Sequence, residues 1–178
     1  WCVSITYGVE SGDQQILNTL QKGITLDQVR EAIRMTKEAG LKTITNFMIG
    51  NPDDTKETLE ATIKFAVELD TDYTYFGFTT PFPGTELREQ AIKNGWLIRK
   101  ELDAVRYEDL TMNATNLPNE ELKEYLNKAY RCFYFRPKYI FKRMTLLFNR
   151  DELQNSINGL ISILTDLYKT KKFKGKIK

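Results

Sequence analysis

Thr43-Ile44-Thr45-Asn46-Phe47-Met48-Ile49-Gly50-Asn51-Pro52-Asp53-Asp54-Thr55 reads as a strand that runs through a glycine turn into a helix. Residues 43–49 suit a strand in composition and length, and Gly50 and Pro52 end it. Asp54 is the expected N-cap, with Glu57 three residues on in the capping-box position. Leu59, Ile63, Ala66 and Val67 then fall on one helical face.

The same order recurs on either side. Residues 3–9 alternate as a strand, and a short helix is expected over 13–21. Ser11 is its expected cap, Gln14 the capping-box partner, and Gly23 the stop. A second helix starts after Thr25, with Gln28 in the box position and Leu26, Val29, Ala32 and Ile33 on one face, and ends before Gly40. Residues 73–78 form the third strand, and the next helix runs from Thr85 to Gly95. Strands separated by helical crossovers pair in parallel with right-handed connections, in a (β/α) barrel or a doubly wound sheet. Three strands close no barrel, so the expected fold is α/β, a partial (β/α) barrel fragment with three parallel strands. The opening at Trp1, running straight into a strand, adds to the expectation of a fragment.

Beyond Trp96 the pattern becomes irregular to about Leu117, then helical over 120–136, 137–147 and 151–168. Pro137 suits the first turn of a new helix. Leu153, Ile157, Leu160, Ile161, Leu164 and Leu167 form a helical stripe, and six lysines close the chain from Lys169 onward. The expected divisions are a barrel segment at 1–95, a mainly helical extension at 96–170 and a basic tail at 171–178. Tyr130, Phe133 and Tyr134, spaced i, i+3 and i+4, read as an aromatic packing stripe.

The 178 residues hold 26 basic and 24 acidic side chains, two cysteines and no histidine. Histidine-based catalysis and histidine-ligated metal sites are therefore excluded within this chain. Cys2 and Cys132 cannot supply a thiolate cage, so no metal site is expected. Low cysteine use and no secretory signal suit a reducing, cytoplasmic setting. No stretch is apolar for long enough to span a membrane, and no motif points to nucleic acid.

In parallel α/β folds ligands bind beyond the carboxyl ends of the strands. Three loops lie there: Tyr7-Gly8-Val9-Glu10-Ser11-Gly12, Met48-Ile49-Gly50-Asn51-Pro52-Asp53-Asp54 and Thr79-Thr80-Pro81-Phe82-Pro83-Gly84-Thr85. With Val3, Ile5 and Tyr7 toward the helices, Ser4, Thr6, Gly8 and Glu10 line the other face. By spacing alone Glu10 is a ribose-diol acceptor or a solvated loop acid, and Ser11 an anion holder or a cap. Gly50 is equally a turn glycine, and residues 81–84 a rigid turn.

These loops, in this order, resemble the second half of the barrel of radical S-adenosylmethionine (SAM) enzymes. The likeness is closest to the group with an upstream cobalamin-binding domain, typified by anaerobic magnesium-protoporphyrin ester cyclases and related methyltransferases. Ala129-Tyr130-Arg131-Cys132-Phe133-Tyr134-Phe135-Arg136-Pro137 resembles that group's region after the barrel, and the likeness spans about residues 3–145. It implies that Glu10 and Ser11 hold the ribose and methionyl part of SAM. The family's Gly-x-Ile-x-Gly-x-x-Glu pattern falls on Asn46, Met48, Gly50 and Asp53, which implies adenine contacts at Met48, Ile49 and Gly50. Thr79, Thr80 and Phe82 would lie near adenine or substrate. No catalytic residue is assigned.

The resemblance further implies 5′-deoxyadenosyl radical chemistry, with methyl transfer or oxidative cyclisation of a small-molecule substrate. The cofactors are SAM and a 4Fe–4S cluster, with cobalamin open as a third. Cluster and cobalamin would be held by sequence absent from this chain, since the Cys-x-x-x-Cys-x-x-Cys motif is not in it. Expected partners are the missing N-terminal half and an electron donor such as flavodoxin or ferredoxin, and the fragment alone is expected to be inactive. The alternative is a non-catalytic α/β interaction module derived from a barrel fold.

Overall fold

A computed structural model describes residues 2–102 and 105–146. The order is β1 (Ser4–Glu10), α1 (Gln14–Thr19), α2 (Leu26–Glu38), β2 (Lys42–Ile49), α3 (Lys56–Leu69), β3 (Tyr73–Phe78), α4 (Glu86–Lys93), α5 (Asn119–Tyr134) and α6 (Pro137–Leu146). The strands form one parallel sheet in the order β1-β2-β3, as the alternation of strands and helices requires. The expected helix over 151–168 and the lysine tail lie outside the described residues.

Side-chain alternation decides which face of the sheet is covered. In β2, Thr43, Thr45, Phe47 and Ile49 are buried, while Lys42, Ile44, Asn46 and Met48 stay half-exposed on the other face. Phe47 lies opposite Phe76 and stacks on it at 5.7 Å, and Phe65 of α3 meets Phe47 edge-on at 6.5 Å. Leu59, Ile63 and Ala66 complete this layer. Each buried phenylalanine contributes roughly 1.5–3 kcal/mol, so this cluster anchors α3 to the sheet. At the amino end of β2 and β3, Thr45, Thr71 and Thr74 close a buried triangle of hydroxyl contacts at 2.9–3.1 Å.

The Thr25–Gln28 capping box opens α2 as expected. Two other caps sit elsewhere than expected. Asp13, not Ser11, caps α1, because its carboxylate accepts from the N–H groups of Gln15 and Ile16. Thr55, not Asp54, caps α3, in a box with Thr58.

The outer edge of β3 is closed off. The Tyr130 hydroxyl of α5 engages both backbone groups of Phe76, and the Tyr107 carbonyl accepts from Phe78 N–H at 2.7 Å. Tyr107 approaches so closely that a Cβ on Gly77 would sit 3.1 Å from it. The described residues between Trp96 and Leu117 are irregular, with an antiparallel bridge between Leu97 and Met112.

Contacts divide the chain into two compact units, Trp1–Phe133 and Tyr134–Lys178. Within the second, Tyr134 meets Tyr139 edge-on at 5.1 Å, and Arg143 Nε donates to the Tyr139 hydroxyl.

Candidate functional site

The open face of the sheet carries Thr6 and Gly8 from β1, Asn46 and Met48 from β2, and Tyr75 from β3. Gly8, Asn46 and Tyr75 lie in one cross-strand row. Three loops rim this face at the carboxyl ends of the strands, and α3 ties them together.

The first loop begins with a bulge. The β1–β2 register slips between Gly8 and Glu10, and Glu10 takes φ 72°, the left-handed region. The bulge leaves Val9 buried and lays the Glu10 carboxylate over Gly8. Lys22 Nζ pairs with Glu10 Oε1 at 3.0 Å. The loop acid thus has a protein partner. Its Oε2 has no partner among the described residues.

Ser11 turns the other way. It is fully buried, its Oγ lies 3.2 Å from Thr62 Oγ1 of α3, and it accepts from Asp13 N–H. Thr62 Oγ1 also accepts from Gly12 N–H at 2.9 Å. The contact requires glycine, since a Cβ at position 12 would lie 2.6 Å from Thr62 Cα.

The second loop turns at Gly50, with φ 82°, where a side chain would be strained. Asp54 Oδ2 accepts from Gly50 N–H at 3.1 Å and Asn51 N–H at 2.8 Å, and Oδ1 accepts from the Thr58 hydroxyl of α3. Burial pushes the Asp54 carboxyl up to about 6, against those three hydrogen bonds, each of which favours the charged form. Sequence reasoning missed this residue's role. The family pattern falls on Asp53, which is exposed, while its neighbour Asp54 is buried. Met48 is half-buried on the open face, and the Ile49 side chain is in the core behind the sheet.

The third loop is fastened to the second. Thr79 is buried, its hydroxyl donates to Asn51 Oδ1 at 2.7 Å, and its N–H donates to Ile49 O. Thr80 is half-exposed and its hydroxyl donates to Phe78 O. Phe82 stands out at 54% exposure, above a turn closed by the Thr85 cap.

Of the eight expected cofactor-side residues, Glu10 and Met48 therefore lie on the open side, and Thr80 and Phe82 keep half-exposed and exposed side chains on the third loop. Gly50 shapes its rim. Ser11, Ile49 and Thr79 have their side chains engaged inside the fold. Among the described residues no three His, Cys, Asp or Glu side chains come together to hold a metal ion, and no helix is long and apolar enough to cross a membrane.

Sheet and crossover helices define a segment of a parallel (β/α) barrel, with the three loops at the carboxyl ends of its strands. Residues 2–66 match the profile of the Radical SAM superfamily. It is 41% identical over 141 residues to a protein of Pyrococcus horikoshii named an uncharacterized methyltransferase, covering 79% of this chain and 31% of that protein. It is 32% identical over 140 residues to the anaerobic magnesium-protoporphyrin IX monomethyl ester cyclase of Cereibacter sphaeroides, covering 75% and 22%. A third relative, the cytidylyl-2-hydroxyethylphosphonate methyltransferase of Streptomyces wedmorensis, is 27% identical over 138 residues, covering 72% and 26%. The chain spans about a third or less of the length of these relatives.

Proposed function

We propose that this chain forms the SAM-nucleoside and substrate side of a radical SAM enzyme that acts on a small molecule by methyl transfer or oxidative cyclisation. One observation carries the reading. At the carboxyl end of β1, on the open face, a carboxylate lies over a glycine with one oxygen unpartnered among the described residues. A Cβ at Gly8 would fill that cradle, 2.7 Å from Glu10 Oε1. A carboxylate so held accepts hydrogen bonds from a ribose diol, so the residues present fit SAM. Met48 and the Gly50 backbone border the adenine on this reading, and Thr80 and Phe82 face adenine or substrate. Bound SAM supplies a 5′-deoxyadenosyl radical when it is cleaved reductively.

The 4Fe–4S cluster does not fit this chain, which has two cysteines and no histidine. We assign the cluster, and cobalamin where it is used, to residues outside it. The chain alone is then inactive and works with the remainder of the same protein and a cytoplasmic electron donor of the flavodoxin or ferredoxin kind.

The test belongs in the full-length protein with its cluster intact. Glu10→Gln removes the charge and Glu10→Ala the whole acceptor. Each should weaken SAM binding, measured anaerobically by calorimetry, by about ten- to a hundred-fold, the scale of a charged hydrogen bond. Unchanged affinity in a folded variant would refute the assignment.

A further inference from the structure

We propose that Lys22 is the positioning residue for Glu10: its ammonium group holds the carboxylate flat over Gly8 so that the free oxygen meets the ligand already aimed. This rests on reading Glu10 as the ribose acceptor.

Three observations carry it. The first is strain. Glu10 is a non-glycine residue at φ 72°, directly at the register slip of β1. Such conformations persist where the surroundings impose them, and they cluster at ligand sites. The second is the cradle. The site of a Cβ on Gly8 lies 2.7 Å from Glu10 Oε1 and 3.4 Å from Lys22 Nζ, so the whole ion pair rests on the bare backbone of one glycine. The third is anchorage. Lys22 N–H donates to the carbonyl of Leu17, itself fully buried in α1, which fixes the root of the lysine against the core.

Stability does not account for the arrangement. The Lys22 and Glu10 side chains remain 34% and 24% exposed, and ion pairs open to water contribute little to folding. Orientation does account for it. A carboxylate has about four lone-pair sites. Lys22 takes one on Oε1, restricts the side-chain rotamers, and leaves Oε2 without a partner among the described residues. An acceptor fixed before the ligand arrives loses less conformational freedom on binding.

The experiment is a double-mutant cycle in the full-length, cluster-loaded protein, with SAM affinity read by anaerobic calorimetry and folding by thermal melting. Lys22→Met should weaken SAM binding roughly ten-fold, the reach of one well-oriented charged hydrogen bond. The melting temperature should stay near that of the parent. Lys22→Arg should restore most of the affinity. Glu10→Gln with Lys22→Met should bind no more weakly than Glu10→Gln alone, because Lys22 acts through Glu10. Parent-like affinity in Lys22→Met beside a weakened Glu10→Gln would overturn the positioning role and leave the ribose assignment standing. Parent-like affinity in Glu10→Gln would overturn the ribose assignment itself, and this proposal with it. Additive losses in the double variant would put Lys22 on the ligand directly, which also overturns it.

Discussion

Tyr130 Oη donates to the carbonyl of Phe76 at 2.8 Å and accepts from the N–H of the same residue at 3.2 Å. One phenol thus does what a neighbouring strand would do at the outer edge of β3. The ring meets Phe76 edge-on at 5.4 Å, so the cap is packed as well as bonded. Tyr130→Phe keeps the ring and removes both bonds, leaving a half-buried N–H and C=O without this partner. An unsatisfied group of that kind costs about 1–3 kcal/mol. Deuterium exchange in the peptide spanning β3 should quicken by roughly ten-fold or more. Exchange at the parent rate would mean that water or a neighbouring segment satisfies the edge equally well.

Gly12 is set against α3 with no room for a side chain. A Cβ there would lie 2.6 Å from Phe65 Cβ and Thr62 Cα and 2.7 Å from the Ala61 carbonyl. Two of those atoms are backbone and cannot swing aside. Gly12→Ala should destabilise the fold by about 1–3 kcal/mol, the usual cost of overpacking. A melting curve superimposable on that of the parent would count against this tight contact.

Asp54 makes stability depend on pH. Its carboxyl is raised from 3.8 to about 6 by burial. Its contribution is therefore full below its unfolded value and is lost as pH rises through about 6. Linkage gives a fall of about 1–1.5 kcal/mol in unfolding free energy between roughly pH 5 and pH 7.5 from this group. Asp54→Asn keeps an acceptor for Gly50 and Asn51 and cannot ionise, so its stability should lack that part of the slope. Parallel pH profiles for parent and variant would remove Asp54 as the cause.

Cluster loading tests the proposed assignment of the cluster to residues outside this chain. Reconstitution of the 178-residue chain with iron and sulfide under anaerobic conditions should leave no stoichiometric 4Fe–4S centre, because Cys2 and Cys132 are its only thiols. A clean cluster spectrum from monomeric protein would contradict this.

The strands were legible in the sequence because a half-buried strand alternates and a crossover helix repeats every 3.6 residues. What misled was competition between neighbouring polar residues for the same local task. Ser11 and Asp13 can each cap α1. The Ser11 hydroxyl is drawn to Thr62, 51 residues away, and Asp13 takes the cap. Asp54 and Thr55 can each cap α3. Asp54 is engaged by Gly50 and Asn51, and Thr55 is left to cap. Spacing cannot arbitrate such contests, because the deciding contact is tertiary. Lys22 was missed for a related reason. Its partner Glu10 lies 12 residues back across a bulge, at no helical or strand interval. Tyr130 was read correctly as a packing aromatic, but its second task depends on a strand 54 residues away.

The fastening of the three rim loops has a mechanical consequence. Thr62 grips Ser11 and Gly12, Thr58 grips Asp54, Asp54 grips Gly50 and Asn51, and Asn51 grips Thr79. Every link in that series is one hydrogen bond or two, and α3 is the bar on which it hangs. The three rim loops are therefore joined through α3 by one continuous series of hydrogen bonds, so that loosening any link leaves its neighbours less well held.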